Sequence, residues 1–548
     1  MGSMHRDIGL IGLTFVAVSG IIGSGWLFAP LEAAQLAGPA SLIAWAIGGL
    51  AMLLLALTFA EVSSMLPVPG GIARVPQFSH GNVVSMAMGF SAWIGYCTTA
   101  PIEVEAMMKY MTPIAPWLHV GGDSGGDLTV AGNAAVAAFL ALFVVINAYG
   151  VKFFIYVNST ITWAKVVFPL AIAALFFASQ FESANFSLDI PDQPGGFAPF
   201  GIPGILEAVT TGGIIFSFIG FRHAIDMAGE VKNPRFTIPA ALILSIAICL
   251  VIYGALQVAF IGALDPSELA NGWANIEINH RVGPLSAIAT VLGILWLVSL
   301  LNVAAVIFPF GGGLVAFGSN ARLAYALAQN GFFPKFIQRI SKHGVPFPAL
   351  ILNFFAAIVL FVGLPFDLIL DLNGAAITLS FVVGPLAVIA LRRLLPDRPR
   401  GFKLPAAFPL SALAFIIATL VVYWSGWDTI WRLGVCLGLG AIVLVIQTMR
   451  QHRAADWAEA IWLVPYFIGI GIISWLGEFG GGTKVIPFGW DILLCSLFAF
   501  GIFVWAVKSA LTKEKLEQYL KDELGEHPSG HSHYADLDKD LDDKLDWG

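Results

Sequence analysis

Charged side chains are scarce in this sequence. Only 11% of the 548 residues are Asp, Glu, Lys or Arg, whereas 58% are hydrophobic. A soluble globular chain carries about 25% charged residues, so the composition excludes an ordinary soluble protein. The net charge of −7 comes partly from the acidic stretch YADLDKDLDDKLDWG at the C-terminal end. It therefore gives no reason to expect nucleic acid as a partner.

Cysteine is equally rare, and the motifs of metal or nucleotide chemistry are missing. The four cysteines, Cys97, Cys249, Cys436 and Cys495, are far apart, and each lies in an apolar run. Such spacing favours buried free thiols over a disulfide framework or a metal site. The sequence also has no phosphate-binding loop, zinc signature or nucleophile elbow. An ATP-driven pump and a membrane enzyme are therefore disfavoured, and neither a metal nor an organic cofactor is predicted.

Long apolar runs are what the sequence does contain. Runs of about 20 apolar residues can cross a bilayer as helices, and we count fourteen candidate spans. They lie near residues 8–30, 38–66, 82–111, 129–149, 152–179, 201–229, 236–262, 284–328, 346–364, 366–391, 404–424, 429–449, 458–477 and 488–511. The first run is too long for a signal peptide and lacks a cleavage site, so we expect it to be retained. Residues 1–3 precede a second methionine and are set aside as a cloning remnant.

Two further patterns along these runs bear on topology. If the N-terminus is cytoplasmic, most lysines and arginines fall in the inner loops and the outer loops are mainly acidic, with Arg281 and Lys484 as the clear exceptions. This asymmetry follows the positive-inside rule and predicts an even number of spans with both termini inside. The run at 284–328 exceeds one crossing, so we expect it to include a cytoplasmic turn or two. Five tryptophans near the ends of runs are typical of interfacial anchors: Trp26, Trp117, Trp273, Trp427 and Trp490.

Glycines interrupt two of the runs at corresponding places. The first run has Gly20, Gly23 and Gly25 near its middle, and the sixth has Gly212, Gly213 and Gly220. The two runs lie five spans apart and start on opposite sides of the membrane. Such pairs of broken segments indicate an inverted-repeat transporter with its site near the bilayer midplane. The alternative is that these glycines only allow close helix packing.

Several motifs carry a family resemblance. SGIIGSGWLFAP and FIGFRHAIDMAGEVKNPRFTIPAAL resemble the first and sixth helices of the amino acid–polyamine–organocation superfamily. PVPGGIARVP resembles its glycine-rich turn between helices two and three, and ARLAYALAQNGFFPKFIQRISKHGVPFPAL the segment from helix eight into helix nine. The resemblance covers roughly residues 8–400, and the overall pattern is similar to that of bacterial aspartate–proton symporters.

The resemblance implies an all-α polytopic membrane protein with a LeuT-type five-plus-five inverted repeat and four additional C-terminal helices, fourteen transmembrane helices in all. Residues 1–7 would be a cytoplasmic N-terminus, 8–179 the first repeat and 201–391 the second. Residues 404–511 would hold the additional helices, and 512–548 a cytoplasmic acidic tail. The implied activity is secondary transport of amino acids or amines through a bacterial cytoplasmic (inner) membrane.

Backbone groups at the two breaks are the expected substrate contacts. N–H groups that begin a half-helix suit an α-carboxylate, and carbonyls that end one suit an α-ammonium. In this sequence the first set would lie at Ile22, Gly23, Ser24 and Gly25. The second set would lie at Phe216, Ser217, Phe218 and Ile219. Tyr96 of span three, with Thr98 and Thr99, is expected to line the site.

An arginine follows the Gly-Phe pair of span six. Arg222 offers bidentate hydrogen bonds to a carboxylate, which points to a substrate with a second carboxylate, such as aspartate or glutamate. It argues against polyamines and cationic amino acids. In the alternative interpretation Arg222 locks helices by pairing with Glu103, Glu105 or Asp226. The two interpretations are compatible if substrate replaces the protein partner.

Two side chains are candidates for proton coupling. Lys165 lies near the middle of span five, where its position resembles a lysine that replaces a sodium ion in proton-coupled family members. A buried lysine can release its proton near neutral pH, although a static cap on span-one carbonyls is the alternative. Glu103 is a second candidate, as proton carrier or external gate. Glu105 is expected to form a local ion pair with Lys109, four residues on.

The sequence therefore predicts a secondary active transporter for proton-coupled import of aspartate or glutamate by alternating access, with the proton as coupling ion. Two alternatives stay open, an exchanger of an acidic amino acid for its decarboxylation product and a permease for non-acidic amino acids. A receptor without transport activity is disfavoured, because the short tail after Leu511 does not resemble a soluble output domain. A channel is disfavoured because broken helix pairs suit occluded sites. The expected partners are a small amino acid and the lipid bilayer; the oligomeric state is left open.

Overall fold

The computed structural model describes residues 4–112, 114–121, 127–188, 196–210, 212–276, 283–364, 366–451, 455–479 and 481–524. Within these ranges the regular structure is helical, and β pairing is limited to two isolated bridges, Ile8 with Val231 and His119 with Leu128. The prediction of an all-α protein is confirmed. Residues 1–3, Arg281 and most of the acidic tail lie outside the described residues.

Twenty-one α-helices follow one another in the described part of the chain. They are α1 Leu10–Ile21, α2 Ala29–Ala37, α3 Ser41–Met65, α4 Gly71–Met111, α5 Val130–Ala148, α6 Val151–Ser179, α7 Gly201–Val209, α8 Ile214–Ser217, α9 Arg222–Asp226, α10 Pro234–Ala263, α11 Pro284–Val291, α12 Leu295–Gln329, α13 Phe347–Gly363, α14 Phe366–Leu379, α15 Val383–Leu394, α16 Ala407–Trp424, α17 Trp427–Gln451, α18 Trp457–Ala460, α19 Leu463–Leu476, α20 Trp490–Lys508 and α21 Lys513–Leu524.

The chain is a polytopic membrane protein. Ten helical stretches of the described residues are long and apolar enough to cross a membrane, and α1 and α13 are shorter apolar helices. Length and composition alone do not establish fourteen crossings. The number of spans, their orientation, and the repeat bounds 8–179, 201–391 and 404–511 stay predictions.

Helix α12 is the central packing element around the site. It lies along α4 and also contacts α1, α5 and α6. Three consecutive glycines, Gly311–Gly313, allow this close approach, because a Cβ on Gly313 would lie 2.8 Å from the ring of Phe143. Small residues at such contacts let membrane helices pack backbone to backbone. The glycines therefore allow α12 to pack closely on the neighbouring helices.

Helix α4 begins earlier than the third predicted span. The segment PVPGGIARVP was expected to be a turn, but helix starts at Gly71 and runs to Met111 through a kink at Gly81. Gly81 has φ +82°, and a Cβ there would collide with the carboxyl group of Asp456. Only glycine fits this backbone and this contact. The kink separates the first part of α4, Gly71–His80, from the rest of the helix.

The long eighth run holds two helices, since α11 ends at Val291 and α12 begins at Leu295. Helix α12 has 35 residues, more than one crossing needs, so the cytoplasmic turns expected in this run stay a prediction. Two of the five tryptophans expected at the interface are buried instead, Trp26 with 1% and Trp273 with 0% of the side chain exposed. Proximity to the end of an apolar run is therefore not enough to place a tryptophan at the membrane surface.

The last described helix, α21, packs on the first part of α4. Leu516 and Leu520 are buried against Val75 and Phe78. The preceding Leu511 donates its N–H to the Ser79 carbonyl at 3.0 Å. Full burial of a leucine side chain stabilises a structure by about 1.5–3 kcal/mol. The apolar face of α21 thus packs against residues of α4 that precede the kink at Gly81.

An ion-pair cluster supports this contact from the other side of α21. Lys515 Nζ lies 3.0 Å from Asp456 Oδ1 and 2.6 Å from Glu459 Oε1. The same aspartate accepts the N–H of Asn82 at 3.0 Å, immediately after the kink. Hydrogen bonding to Glu459 and then to Asp456 raises the pKa of Lys515. The lysine therefore links α21 to the turn before α18 and to the kink of α4.

Candidate functional site

The first candidate element is the break between α1 and α2. Helix α1 ends at Ile21, and Ile22 leaves the helical conformation with φ −89° and ψ 83°. Gly23 follows with φ −100° and ψ −139°, and one turn of 3₁₀-helix then covers Ser24–Leu27 before α2 begins. The last carbonyls of α1 and the first N–H groups after it therefore need partners from elsewhere in the fold.

The second break lies between α8 and α9. Gly213, with φ +74°, precedes the single turn of α8, and a 3₁₀ turn at Ile219–Phe221 leads into α9. Gly220 faces the first break, because a Cβ there would collide with the backbone of Gly20 and Ile21. Both glycine-rich segments that the sequence singles out thus meet at one point, where side chains would force them apart.

Lys165 of α6 binds the carbonyl end of α1. Its Nζ donates to Ser19 O at 2.8 Å and to Ile22 O at 2.6 Å, and the side chain is fully buried. Tyr253 of α10 donates its hydroxyl to Ile21 O at 3.1 Å. Three carbonyls at the end of α1 are therefore held by side chains of neighbouring helices. The alternative interpretation of Lys165, a cap on span-one carbonyls, describes this contact. Its role in proton coupling stays a prediction.

Glu103 of α4 occupies the other side of the same break. Its carboxylate accepts hydrogen bonds from both the backbone N–H and the hydroxyl of Ser24. A Cβ on Gly23 would collide with this carboxylate, so glycine is required for the approach. Tyr110 donates its hydroxyl to Ser24 O at 3.1 Å. The first N–H groups after the break, expected to bind a substrate carboxylate, thus already face a carboxylate of the protein.

This contact was missed by the sequence analysis. Glu103 was considered as a proton carrier or gate, but nothing in the spacing of residues ties it to Ser24, 79 positions earlier. Gly25 differs from its neighbours, since it is exposed and a Cβ there would have no atom within 4 Å. Gly25 therefore borders open space beside the break.

At the second break, some of the carbonyl groups expected to bind an ammonium group already face backbone N–H groups. The N–H of Phe218 turns back towards the carbonyls of Ile215 and Phe216, and the N–H of Phe221 lies 3.5 Å from Phe218 O. Phe216, Ser217 and Ile219 are partly exposed. Phe218 is fully buried, with its ring centre 6.0 Å from that of Trp45 and 5.7 Å from that of Tyr253. The binding of an ammonium group at these carbonyls stays a prediction.

Arg222, the first residue of α9, is buried without a counterion in hydrogen-bonding contact. It is 2% exposed, and its guanidinium carbon lies 4.0 Å from the centre of the Tyr96 ring. Nη2 lies 3.5 Å from Thr99 Oγ1, at the outer limit of a hydrogen bond. Nε and Nη1 have no hydrogen-bond partner in the described part of the chain.

The alternative protein partners of Arg222 are engaged elsewhere. Among the described residues Arg222 forms no ion pair with Glu103, Glu105 or Asp226. Glu103 binds Ser24, and Glu105 pairs with Lys109 at 3.4 Å, as the sequence predicts. A buried charge without a partner is costly. The position of Arg222 is therefore suited to an anionic ligand.

Polar groups of α4 and α14 border the arginine. Asn373 Nδ2 donates to Gly95 O at 2.7 Å and to Thr99 Oγ1 at 2.7 Å, and lies 3.1 Å from Thr98 Oγ1. These interhelical bonds hold the two threonines in place near the guanidinium. Thr98 and Thr99 are thus brought towards the site, whereas Asn373 has the packing role that its position in a membrane helix suggests.

A buried ion pair joins the segment that follows α9 to α12. Glu230 and Arg322 are both fully buried, with Nε–Oε1 and Nη2–Oε2 distances of 2.6 and 3.1 Å. The backbone of Glu230 accepts the N–H of Ile8 at 3.0 Å, which ties the N-terminal segment to the same place. Sequence analysis missed this pair, because the two charges are far apart in the chain and each lies beside an apolar run.

Comparison with known proteins identifies the family. Residues 8–444 match the family described as amino acid permease. The chain is 35% identical over 536 residues to the glutamate/serine transporter AimA of Bacillus subtilis (strain 168), covering 95% of this chain and 96% of the relative. It is 33% identical over 525 residues to the aspartate-proton symporter of the same organism, covering 94% and 99%. It is 26% identical over 464 residues to the branched-chain amino acid permease BcaP, covering 82% and 95%. The superfamily resemblance is thus confirmed, and the chain belongs to the amino acid permease family of membrane transporters.

Proposed function

We propose that this protein is a secondary active transporter that imports acidic amino acids together with protons by alternating access. It would act in a bacterial cytoplasmic membrane with both termini in the cytoplasm. Aspartate and glutamate are the substrates that the site favours. The observation that carries the proposal is Arg222, a buried guanidinium with two unpartnered nitrogens next to the crossing of the broken helices.

The charge and position of Arg222 support a second carboxylate on the substrate. The α-carboxylate and α-ammonium groups are common to all amino acids and would bind at the two backbone breaks. An additional carboxylate would supply the bidentate partner that the guanidinium lacks in the described residues. A cationic side chain in the same place would be repelled.

Lys165 supports proton coupling. Its ammonium group donates to the Ser19 and Ile22 carbonyls at the end of α1. Loss of the proton would remove the positive charge that these carbonyl dipoles bind, and would loosen the connection between α6 and the broken helix. Protonation of one residue can thus be linked to the conformation of the substrate-binding segment.

The names of the relatives support acidic amino acids as substrates, but they do not decide between aspartate and glutamate. One relative is an aspartate-proton symporter, and another is a glutamate/serine transporter. Serine therefore has to be tested beside the acids, because a site that accepts it would not depend on Arg222 alone.

The test is uptake of labelled L-aspartate into proteoliposomes with an inward proton gradient and an empty lumen, competed by glutamate, serine and lysine. Accumulation that acidic competitors block supports symport of acids. Uptake that requires an amino acid in the lumen indicates exchange. Preferential competition by serine or lysine contradicts the proposed substrate class.

Arg222→Ala is the variant that tests the carrying observation. It should abolish saturable aspartate binding. Arg432→Ala is a matched control, since Arg432 also lies over an aromatic ring, that of Trp431 at 5.5 Å, but on α17 and not at the broken helices. Unchanged aspartate affinity in Arg222→Ala would refute the role assigned to the guanidinium.

A further inference from the structure

We propose that the Tyr96 hydroxyl keeps Arg222 available to substrate by holding the Asp226 carboxylate away from it. Tyr96 is then a positioning residue that acts through Asp226, besides lining the site with its ring. This inference rests on the proposed function, because it concerns how the same arginine stays free for an acidic substrate.

Asp226 is an acidic residue on the same short helix as Arg222 and is a competitor for its guanidinium. Arg222 and Asp226 are the first and last residues of α9, and side chains four positions apart on a helix are neighbours that readily form ion pairs. Asp226 is fully buried, so its carboxylate needs partners from within the protein. An arginine and an aspartate in this relation would ordinarily pair with each other.

The structure shows the carboxylate held by other donors. Tyr96 of α4 donates its hydroxyl to Oδ2 of Asp226. Oδ1 lies 3.4 Å from the backbone N of Ile72, in the first part of α4. The backbone carbonyl of Asp226 accepts the N–H of Gly70 at 2.8 Å. Both carboxylate oxygens and the main chain of Asp226 are thus directed towards α4 and not towards Arg222.

The same tyrosine also faces the arginine. The Tyr96 ring lies under the guanidinium at 4.0 Å, a distance at which a cation interacts with an aromatic face. Its hydroxyl donates to the carboxylate of Asp226. One side chain therefore provides a surface for the arginine and removes the carboxylate that would otherwise bind it.

This arrangement predicts that a second substitution restores the aspartate binding lost in Tyr96→Phe. Direct contact between the hydroxyl and substrate does not predict such a rescue. Tyr96→Phe keeps the ring but removes the donor, so Asp226 is free to pair with Arg222 and compete with substrate. Removing the competitor as well, in Tyr96→Phe/Asp226→Asn, should restore binding. If the hydroxyl bound substrate itself, the second substitution would restore nothing.

The experiment measures the KM of labelled aspartate counterflow for the full-length chain in proteoliposomes. Tyr96→Phe should raise KM about tenfold, the effect of losing one charge-assisted contact. The double variant should return to within about threefold of the original KM. Asp226→Ala in the Tyr96→Phe background is a second rescue variant in case the asparagine variant does not fold.

The outcomes separate this inference from the proposed function. If the original chain carries no acidic amino acid, the proposed function fails. If it does, an unchanged KM in Tyr96→Phe, or a double variant as weak as Tyr96→Phe alone, overturns the inference while the proposed function stands.

Discussion

Replacing Lys165 by glutamine should uncouple transport from the proton gradient without dismantling the site. Lys165 Nζ donates to two buried carbonyls, at 2.8 and 2.6 Å. An alanine would leave both without a donor, at a cost of about 1–3 kcal/mol each. A glutamine amide retains two N–H donors and cannot be protonated in this range, so it isolates the titratable function from the structural one.

The size of the effect follows from the energy of one proton. With the membrane potential clamped at zero, a gradient of one pH unit supplies about 1.4 kcal/mol per proton. If one proton accompanies each aspartate, this energy supports an accumulation of about tenfold. The Lys165→Gln protein should equilibrate aspartate across the membrane, with a ratio of about one, and should retain counterflow between labelled and unlabelled substrate.

The assay compares the two proteins in the same proteoliposomes, first with an imposed pH gradient and then with equal pH and unlabelled aspartate inside. Loss of accumulation together with loss of counterflow would show only that the variant is inactive. Retained accumulation of about tenfold in an active Lys165→Gln protein would refute the reasoning and assign coupling to another residue.

Three further predictions concern groups around the two breaks. Glu230→Gln leaves its arginine partner buried and unpaired, and should lower the free energy of unfolding by about 3–5 kcal/mol, measured as a fall in thermal stability in detergent. Gly220→Ala places a methyl group against the backbone of Gly20 and should abolish transport, whereas Gly254→Ala, which meets no atom within 4 Å, should be tolerated in the same uptake assay. Glu103→Gln removes a negative charge from the place expected for the substrate α-carboxylate and should lower the KM for aspartate several-fold; an unchanged KM would mean that the two carboxylates do not compete.

The breaks and the lysine could be placed from sequence because each rests on local information. Glycine clusters inside apolar runs mark backbone that leaves the helix, and the structure interrupts helix at Ile22–Gly23 and again before Arg222. Lys165 could be located by counting residues into a run, since helical rise converts sequence distance into depth. The ion pair between Glu105 and Lys109 follows from spacing in the same way.

The contacts between distant helices could not be predicted. Tyr96 and Asp226 are 130 residues apart, and Glu230 and Arg322 are 92 apart. In a soluble helix the apolar stripe shows which face turns inward, but most helices here are apolar all round. Without that contrast the sequence does not say which faces meet. For the same reason Trp26, expected at the interface, lies inside the protein.

The docking of α21 on α4 has a practical consequence for how the protein is cut or labelled. Truncation ahead of Thr512 would remove Leu516 and Leu520 and uncover the apolar side chains of Val75 and Phe78, a surface prone to aggregation in detergent. A tag or fluorescent fusion joined beyond Leu524 leaves that contact in place. Reporters of transport should therefore be attached after α21, and shortened chains that lack it are poor controls for activity.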